Sequence, residues 1–154
     1  MRKISIRRAV ESDFDAINLQ TRALFEYQLS LVPVEMAGKE CEDYDRETFL
    51  DEINCSDKIW LLAECEGQTI ASGFAYITAD RYDNIFCYID HLYVEPLFRK
   101  QGAGQQLVDE IVCFARAEGV QAVQLDVWSA NLLGREFYQN LGFSPLSYTL
   151  KKEI

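Results

Sequence analysis

Residues 95–107 read Glu-Pro-Leu-Phe-Arg-Lys-Gln-Gly-Ala-Gly-Gln-Gln-Leu, and the fold turns on what lies either side of them. Upstream, residues 85–94 (IFCYIDHLYV) are apolar at nearly every position, as in a central strand covered on both faces. Downstream, Leu107, Val108, Ile111, Val112 and Ala115 form one apolar stripe, which predicts a helix over 104–118 that stops near Gly119. Residues 122–128 (AVQLDVW) then alternate as a strand. Strand, helix and strand make a right-handed crossover unit with its two strands parallel. This is an α/β arrangement.

Working outward, residues 4–7 (ISIR) form a short strand. Ser12-x-x-Asp15 has the spacing of a capping box, and Phe14, Ile17, Leu24, Tyr27 and Leu31 follow at helical intervals until Pro33. An acidic connector over 35–47 leads to a second short helix around Arg46–Ile53. Residues 58–65 and 69–78 flank Glu-Gly-Gln and read as an antiparallel hairpin. A short helix over 132–142 and a closing strand over 147–154 complete the order β-α-α-β-β-β-α-β-α-β. No repeat or linker interrupts it, so one domain is expected over 1–154.

The 154 residues suffice for a real core, since a chain of roughly this length buries about 70% of its unfolded surface. The formal net charge of -10 argues against nucleic acid as a general partner. It fits cationic small molecules, or serves only solubility. The chain turns acidic too early for a signal peptide, and no apolar run approaches the roughly 18 residues of a membrane span. A soluble, cytoplasmic protein without membrane partners is expected. Five cysteines lack any C-x-x-C pairing, and Cys65, Cys87 and Cys113 sit in apolar runs as buried thiols do. With one histidine, His91, no metal site is expected.

The glycines of the junction have a chemical use. A helix's first turn carries unpaired N–H groups and partial positive charge, so it attracts anions. Glycine removes the Cβ that would hold a phosphate away, and Arg99 and Lys100 add cationic donors. Gln105-Gln106 after Gly104 excludes a P-loop, and Leu107 excludes the dinucleotide fingerprint. From the loop alone, a phosphate cradle and a plain strand–helix turn both stand.

Arg99-x-x-Gly102-x-Gly104 after Leu92-Tyr93-Val94 resembles the acetyl-CoA pyrophosphate loop of the GNAT N-acetyltransferase superfamily. Asn131-x-x-Gly134-x-x-Phe137-Tyr138-x-x-x-Gly142-Phe143 resembles that superfamily's second motif, with Gly134 where alanine is usual. Lys100 stands where glycine is frequent, and the element order agrees over nearly the whole chain. The resemblance implies a GNAT fold: a mixed sheet of six to seven strands flanked by helices, with strands 85–94 and 122–128 splayed at the cofactor. It implies that Arg99, Lys100, Gln101, Gly102, Ala103, Gly104 and Gln105 hold the CoA pyrophosphate, and that Leu92, Tyr93 and Val94 pair with pantetheine like an added strand. Leu92 N–H would meet the thioester oxygen as charge develops on it. Asn131 would hydrogen-bond the pantetheine arm, and Tyr138 would protonate the departing thiolate.

The amine acceptor arrives protonated, because a lysine-like amine has a pKa of about 10.4, so a base is needed. The stretch YIDHLYV resembles that of diamine and polyamine N-acetyltransferases, whose proton-accepting glutamate matches Asp90. By strand alternation Asp90 shares a face with Leu92, while His91 points to the other face as a core or surface histidine. Asp126 is a further base candidate. The expected activity is acetyl transfer from acetyl-CoA to a small, cationic primary amine, without a metal. The alternatives are a protein N-terminus or lysine as acceptor, or a non-catalytic acyl-CoA-binding module. The acidic connector is either a solvated loop or a cation-attracting rim, and a homodimer stays open.

Overall fold

The structure is a computed structural model, and it describes residues 2–154. Five strands form one sheet in the order of the chain: β1 (Ile4–Arg8), β2 (Lys58–Cys65), β3 (Gln68–Ala79), β4 (Ile85–Val94) and β5 (Val123–Gln124). The first four pair antiparallel, and β5 lies parallel to β4. At the β2–β3 hairpin Glu66 (φ 52°) and Gly67 (φ 78°) are both left-handed, the geometry of a two-residue turn that follows the twist of its strands.

Both faces of the sheet are covered. Helix α3 (Ala103–Ala117) lays Leu107, Val108, Ile111 and Ala115 on Ile59, Leu61, Cys87 and Ile89. On the other face Ile17 of α1 (Phe14–Leu31) and Phe49 of α2 (Arg46–Asn54) close over Trp60, Leu62 and Phe74. Helix α4 (Leu132–Asn140) follows β5. The apolar stripe of α3 and its stop at Gly119 (φ 78°) are as the sequence predicts. No described helix is long and apolar enough to cross a membrane.

Four expectations are corrected. The sheet has five strands rather than six or seven, because residues 147–154 form no strand. There Leu146, Tyr148 and Leu150 are 79%, 82% and 91% exposed, so the alternation that reads as a strand has no sheet of its own to cover. The strand expected over 122–128 pairs only at Cys87↔Val123 and Tyr88↔Gln124. Cys113 is exposed, on the solvent side of α3, unlike Cys65 and Cys87.

The entry to α1 also differs. A short 3₁₀ turn spans Glu11–Asp13, and Asp13 rather than Ser12 fastens it. Its carboxylate accepts Val10 N–H at 2.8 Å and two guanidinium bonds from Arg7 at 2.7 and 2.9 Å. A buried carboxylate with a bidentate arginine outcompetes a hydroxyl for the orphan amides.

Candidate active site

The regular ladder of β4 breaks at the candidate site. Phe74 pairs with His91 but Ala75 pairs with Ile89, so Asp90 is an extra, unpaired residue in a β-bulge. A bulge turns two successive side chains to one face, which corrects the alternation expected from sequence. His91 packs against Trp60 with ring centroids 5.4 Å apart, on the α1 and α2 face. Asp90 lies on that face too, near enough to Glu52, Tyr44, Tyr76 and Tyr88 for its charge to bear on them. Leu92 turns the other way, into the core under α3.

The bulge also settles where the backbone groups of β4 point. Cys87 N–H bonds Ala122 toward β5, whereas Glu95 N–H bonds Ile70 toward β3. Alternation back from Glu95 sends the N–H and C=O of Tyr93 to β3 and those of Leu92 and Val94 to the opposite edge. Pairing with β5 ends at Tyr88↔Gln124, so that edge has no strand partner among the described residues. An extended ligand arm could hydrogen-bond Leu92 and Val94 there, while Tyr93's main chain is already engaged. Val94 C=O additionally accepts Arg99 Nε at 3.0 Å.

The turn into α3 fits an anion cradle. Gly102 adopts φ 92° at the N-cap and Lys100 adopts φ 60° before it. No side chain caps the first turn, so the N–H groups of Ala103, Gly104 and Gln105 have no side-chain acceptor. The two glycines differ in purpose. Gly102 answers to its left-handed backbone, where a Cβ would meet only Gln106 Nε2 at 3.7 Å. Gly104 lies under the Phe137 ring, so the missing Cβ there also makes room for helix packing. Arg99 sends its guanidinium over Tyr27 and Tyr93, at 5.6 and 5.9 Å from the ring centroids, so much of it is occupied within the protein. Gln101 bonds the Leu97 carbonyl at 3.1 Å.

Beyond β5, Asn131 caps α4, accepting Gly134 N–H at 2.9 Å and Tyr27 O–H at 3.3 Å through Oδ1. Both bonds use Oδ1, so neither engages its Nδ2 group. A Cβ on Gly134 would fall 2.5 Å from that Nδ2, so glycine here lets the Asn131 side chain fold over the helix start. Tyr138 is half-buried between Phe137 and Phe143, with ring centroids at 5.0 and 5.6 Å. Burial pushes its hydroxyl up to about 12, so it holds its proton throughout the neutral range.

Beside Asp90 the structure adds a buried carboxylate that sequence reasoning missed. Glu52 of α2 is 7% exposed, and its Oε2 accepts Trp60 Nε1–H at 2.6 Å and the Tyr44 hydroxyl. A carboxylate three residues after Phe49, on the helix's buried face, was the available signal. Asp90 keeps a path to solvent, yet desolvation, with Glu52 adding to it, holds its carboxyl above the ordinary aspartate range. No arginine or lysine pairs with either carboxylate among the described residues. Asp126 instead accepts the Tyr88 hydroxyl at 2.8 Å, which occupies it. His91 is neutral, since burial lowers it to about 4. Within the acidic connector Asp43 pairs with Arg22, Asp45 caps α2 through Thr48, and Glu35 pairs with Lys151.

Comparison with known proteins gives the family and the fold. The family model described as "Acetyltransferase (GNAT) family" matches residues 16–143. A thialysine N-epsilon-acetyltransferase of Bos taurus is 24% identical over 146 residues, which cover 94% of this chain and 86% of that protein. A mutant of the BH1408 protein from Bacillus halodurans superposes with a TM-score of 0.87 at 19% identity, over 97% of this chain and 99% of the other. The aminoglycoside N-acetyltransferase AAC(6')-Iy, solved with the bisubstrate analogue CoA-S-monomethyl-acetylneamine, gives a TM-score of 0.73 at 17% identity, over 99% and 98%. The structural likenesses carry the fold, and the family match over most of the chain carries membership: this chain belongs to the GNAT acetyltransferase family and is an acyltransferase.

Proposed function

We propose that this enzyme, as a single domain over 1–154, transfers acetyl from acetyl-CoA to a primary amine of a small cationic acceptor, by direct attack on the thioester. The observation that carries the choice of acceptor is the Asp90–Glu52 pair. The buried Glu52 lies near enough to Asp90 for its charge to act on it, beside aromatic rings, and no arginine or lysine pairs with either among the described residues. Such a pair is costly until a positive group arrives, and an ammonium supplies it.

In this reading Asp90 takes a proton from the ammonium and frees the nitrogen lone pair. Leu92 N–H stabilises charge on the carbonyl oxygen as the nitrogen attacks. The uncapped amides at the start of α3, with Lys100 beside them, hold the pyrophosphate. Asn131 Nδ2 and the Leu92 and Val94 main chain orient the pantetheine arm. Tyr138 O–H, kept protonated by burial, donates to the departing sulfur. The analogue in AAC(6')-Iy joins CoA to an aminoglycoside fragment, and the bovine relative is named for thialysine; both names fit a small amine better than a protein terminus.

The test is thiol release from acetyl-CoA across diamines, polyamines, thialysine, aminoglycosides and lysine-bearing peptides. Turnover confined to small cationic amines supports the reading. Turnover confined to peptides, or saturable CoA binding without transfer, overturns it. The exposed alternation of Leu146, Tyr148 and Leu150 supports a homodimer, which light scattering on the purified protein tests.

A further inference from the structure

The face of β4 that holds Asp90 also holds a buried polar chain that the reaction does not consume. His91 Nε2 lies 2.7 Å from Ser72 Oγ, Ser72 Oγ lies 2.6 Å from Gln20 Oε1, and Gln20 Nε2 lies 3.3 Å from Glu95 Oε1. Ser72, Gln20 and His91 are 0%, 3% and 6% exposed. Three buried polar side chains on three elements are costly unless each is satisfied, and here the direction of every bond follows from its end. Gln20 Nε2 meets a carboxylate oxygen of Glu95, an acceptor, so the Gln20 amide presents its NH₂ there and its oxygen to Ser72. Ser72 then spends its one hydrogen on Gln20, and its oxygen accepts from His91. The imidazole must therefore carry its proton on Nε2.

The ends of this chain bracket the reactive edge. His91 is the first residue after the bulge, and Glu95 is the first after β4, with its N–H bonded to Ile70. Between them lie Leu92, whose main-chain groups point to the unpartnered edge of β4, and Val94, whose N–H does the same while its C=O accepts from Arg99. The His91 ring also packs on Trp60, the donor that holds Glu52.

We propose that the Glu95–Gln20–Ser72 chain locks His91 in its Nε2–H tautomer and so fixes the Asp90 bulge, making His91 a positioning residue for acetyl transfer rather than a proton carrier. The catalytic part rests on the reading that Asp90 and Leu92 act on the acceptor and the thioester, whereas the tautomer does not.

Because His91 is the protein's one histidine, nitrogen NMR of ¹⁵N-histidine-labelled enzyme reads it without assignment. The expected spectrum at neutral pH is a neutral ring protonated at Nε2, with Glu95→Gln giving a mixture of tautomers. A predominant Nδ1–H form, or an imidazolium, overturns the proposal whatever the activity. The kinetic arm compares Ser72→Ala and Gln20→Leu with Ser72→Thr. Both disruptive variants should lose about tenfold in kcat with KM for acetyl-CoA within about twofold, a loss of about 1.4 kcal/mol in the transition state, and Ser72→Thr should recover most of it. Unchanged kcat in folded Ser72→Ala overturns the positioning role. If Gln20→Leu fails to fold, the spectrum of wild-type enzyme and the Ser72 pair still decide. If wild-type enzyme shows the Nε2–H form but acetylates no amine, the proposed function fails while the tautomer assignment stands.

Discussion

Gly104 of α3 and Phe137 of α4 touch so closely that a Cβ on the glycine would sit 3.1 Å from the ring. Through that contact the helix that follows the glycine turn carries the helix that bears Tyr138. Gly104→Ala should therefore displace Phe137 by a few tenths of an ångström and pass the shift to its neighbour Tyr138. The expected result is a fall in kcat with a loss of about 1 kcal/mol in stability, rising to about 1–3 kcal/mol for Gly104→Val. Gly102→Ala should act differently. It strains a left-handed backbone by about 1–2 kcal/mol at the mouth of the cradle, so KM for acetyl-CoA should rise more than kcat falls. Thermal denaturation with steady-state kinetics separates the two, and identical profiles would remove the distinction between packing and cradle.

Asp90 and Glu52 give a prediction in pH. A proton acceptor must be ionised, and Asp90's raised pKa, set by burial first and Glu52 second, places the acidic limb of kcat/KM above the ordinary value of 3.8. Glu52→Gln removes a like charge, so that limb should move to lower pH. Asp90→Asn should cost about 10²–10⁴ in kcat. The stability sign is opposite. A carboxyl whose folded pKa is raised contributes stability below 3.8 and loses it as pH rises through the folded value, so at pH 7 its charge is a burden. Asp90→Asn should therefore melt higher than wild type at pH 7 and lose that advantage as pH falls toward 4.

Most of the fold is legible in the sequence, whereas the side-chain arrangement around Asp90 is legible only in part, and the division has a physical cause. Amphipathic stripes and the alternation of β2 and β3 are local patterns, so α1, α3 and the hairpin emerge near their observed bounds. The Asp90 bulge is set by register between β3 and β4, a long-range relation with no glycine or proline to mark it. Without it, Asp90 and His91 alternate and the acceptor face is misread. Glu52 was missed for the same reason, since its partners Trp60 and Asp90 come from other elements. The 147–154 segment has a strand's pattern, but pattern cannot say whether a neighbour exists to receive it.

Tyr138→Phe tests the departing-thiolate role. With its hydroxyl pushed up to about 12, Tyr138 stays a donor across the working range, so wild-type turnover should not decline between pH 8 and 10 through loss of this group. Removing the hydroxyl should lower kcat by about 10²–10⁴ with acetyl-CoA KM little changed, because the ring's packing on Phe137 and Phe143 remains. Undiminished kcat would dismiss the role.

Gly134→Ala restores the alanine usual in the motif, yet here it should be harmful. The new Cβ would collide with Asn131 atoms at 2.5–3.0 Å, and Asn131 is held by its cap on Gly134 N–H and by Tyr27. Expelling that side chain should cost about 1 kcal/mol of cap and raise KM for acetyl-CoA. A variant with unaltered Tm and KM would show that Asn131 has room to move.

Asp13 makes the fold itself sensitive to acid. The hydrogen bonds from Arg7 are the largest influence on its carboxyl and hold it below the ordinary 3.8, with Val10 N–H acting in the same direction. A carboxyl lowered in the folded state contributes stability above 3.8 and loses it as pH falls through the folded value. Charge-assisted bonds to a largely buried acceptor contribute about 1–3 kcal/mol, and the half-exposed Arg7 places this set toward the lower end. Asp13→Asn should therefore unfold at lower temperature than wild type at pH 7, and the two curves should converge as pH drops below about 4. The melt isolates the Arg7 link, because Glu64 still accepts from Arg7 at 2.7 Å in the variant and keeps the guanidinium in place. A gap that persists unchanged at pH 3 would mean the asparagine acts through packing, and Asp13's charge would then have no part in holding β1 to α1.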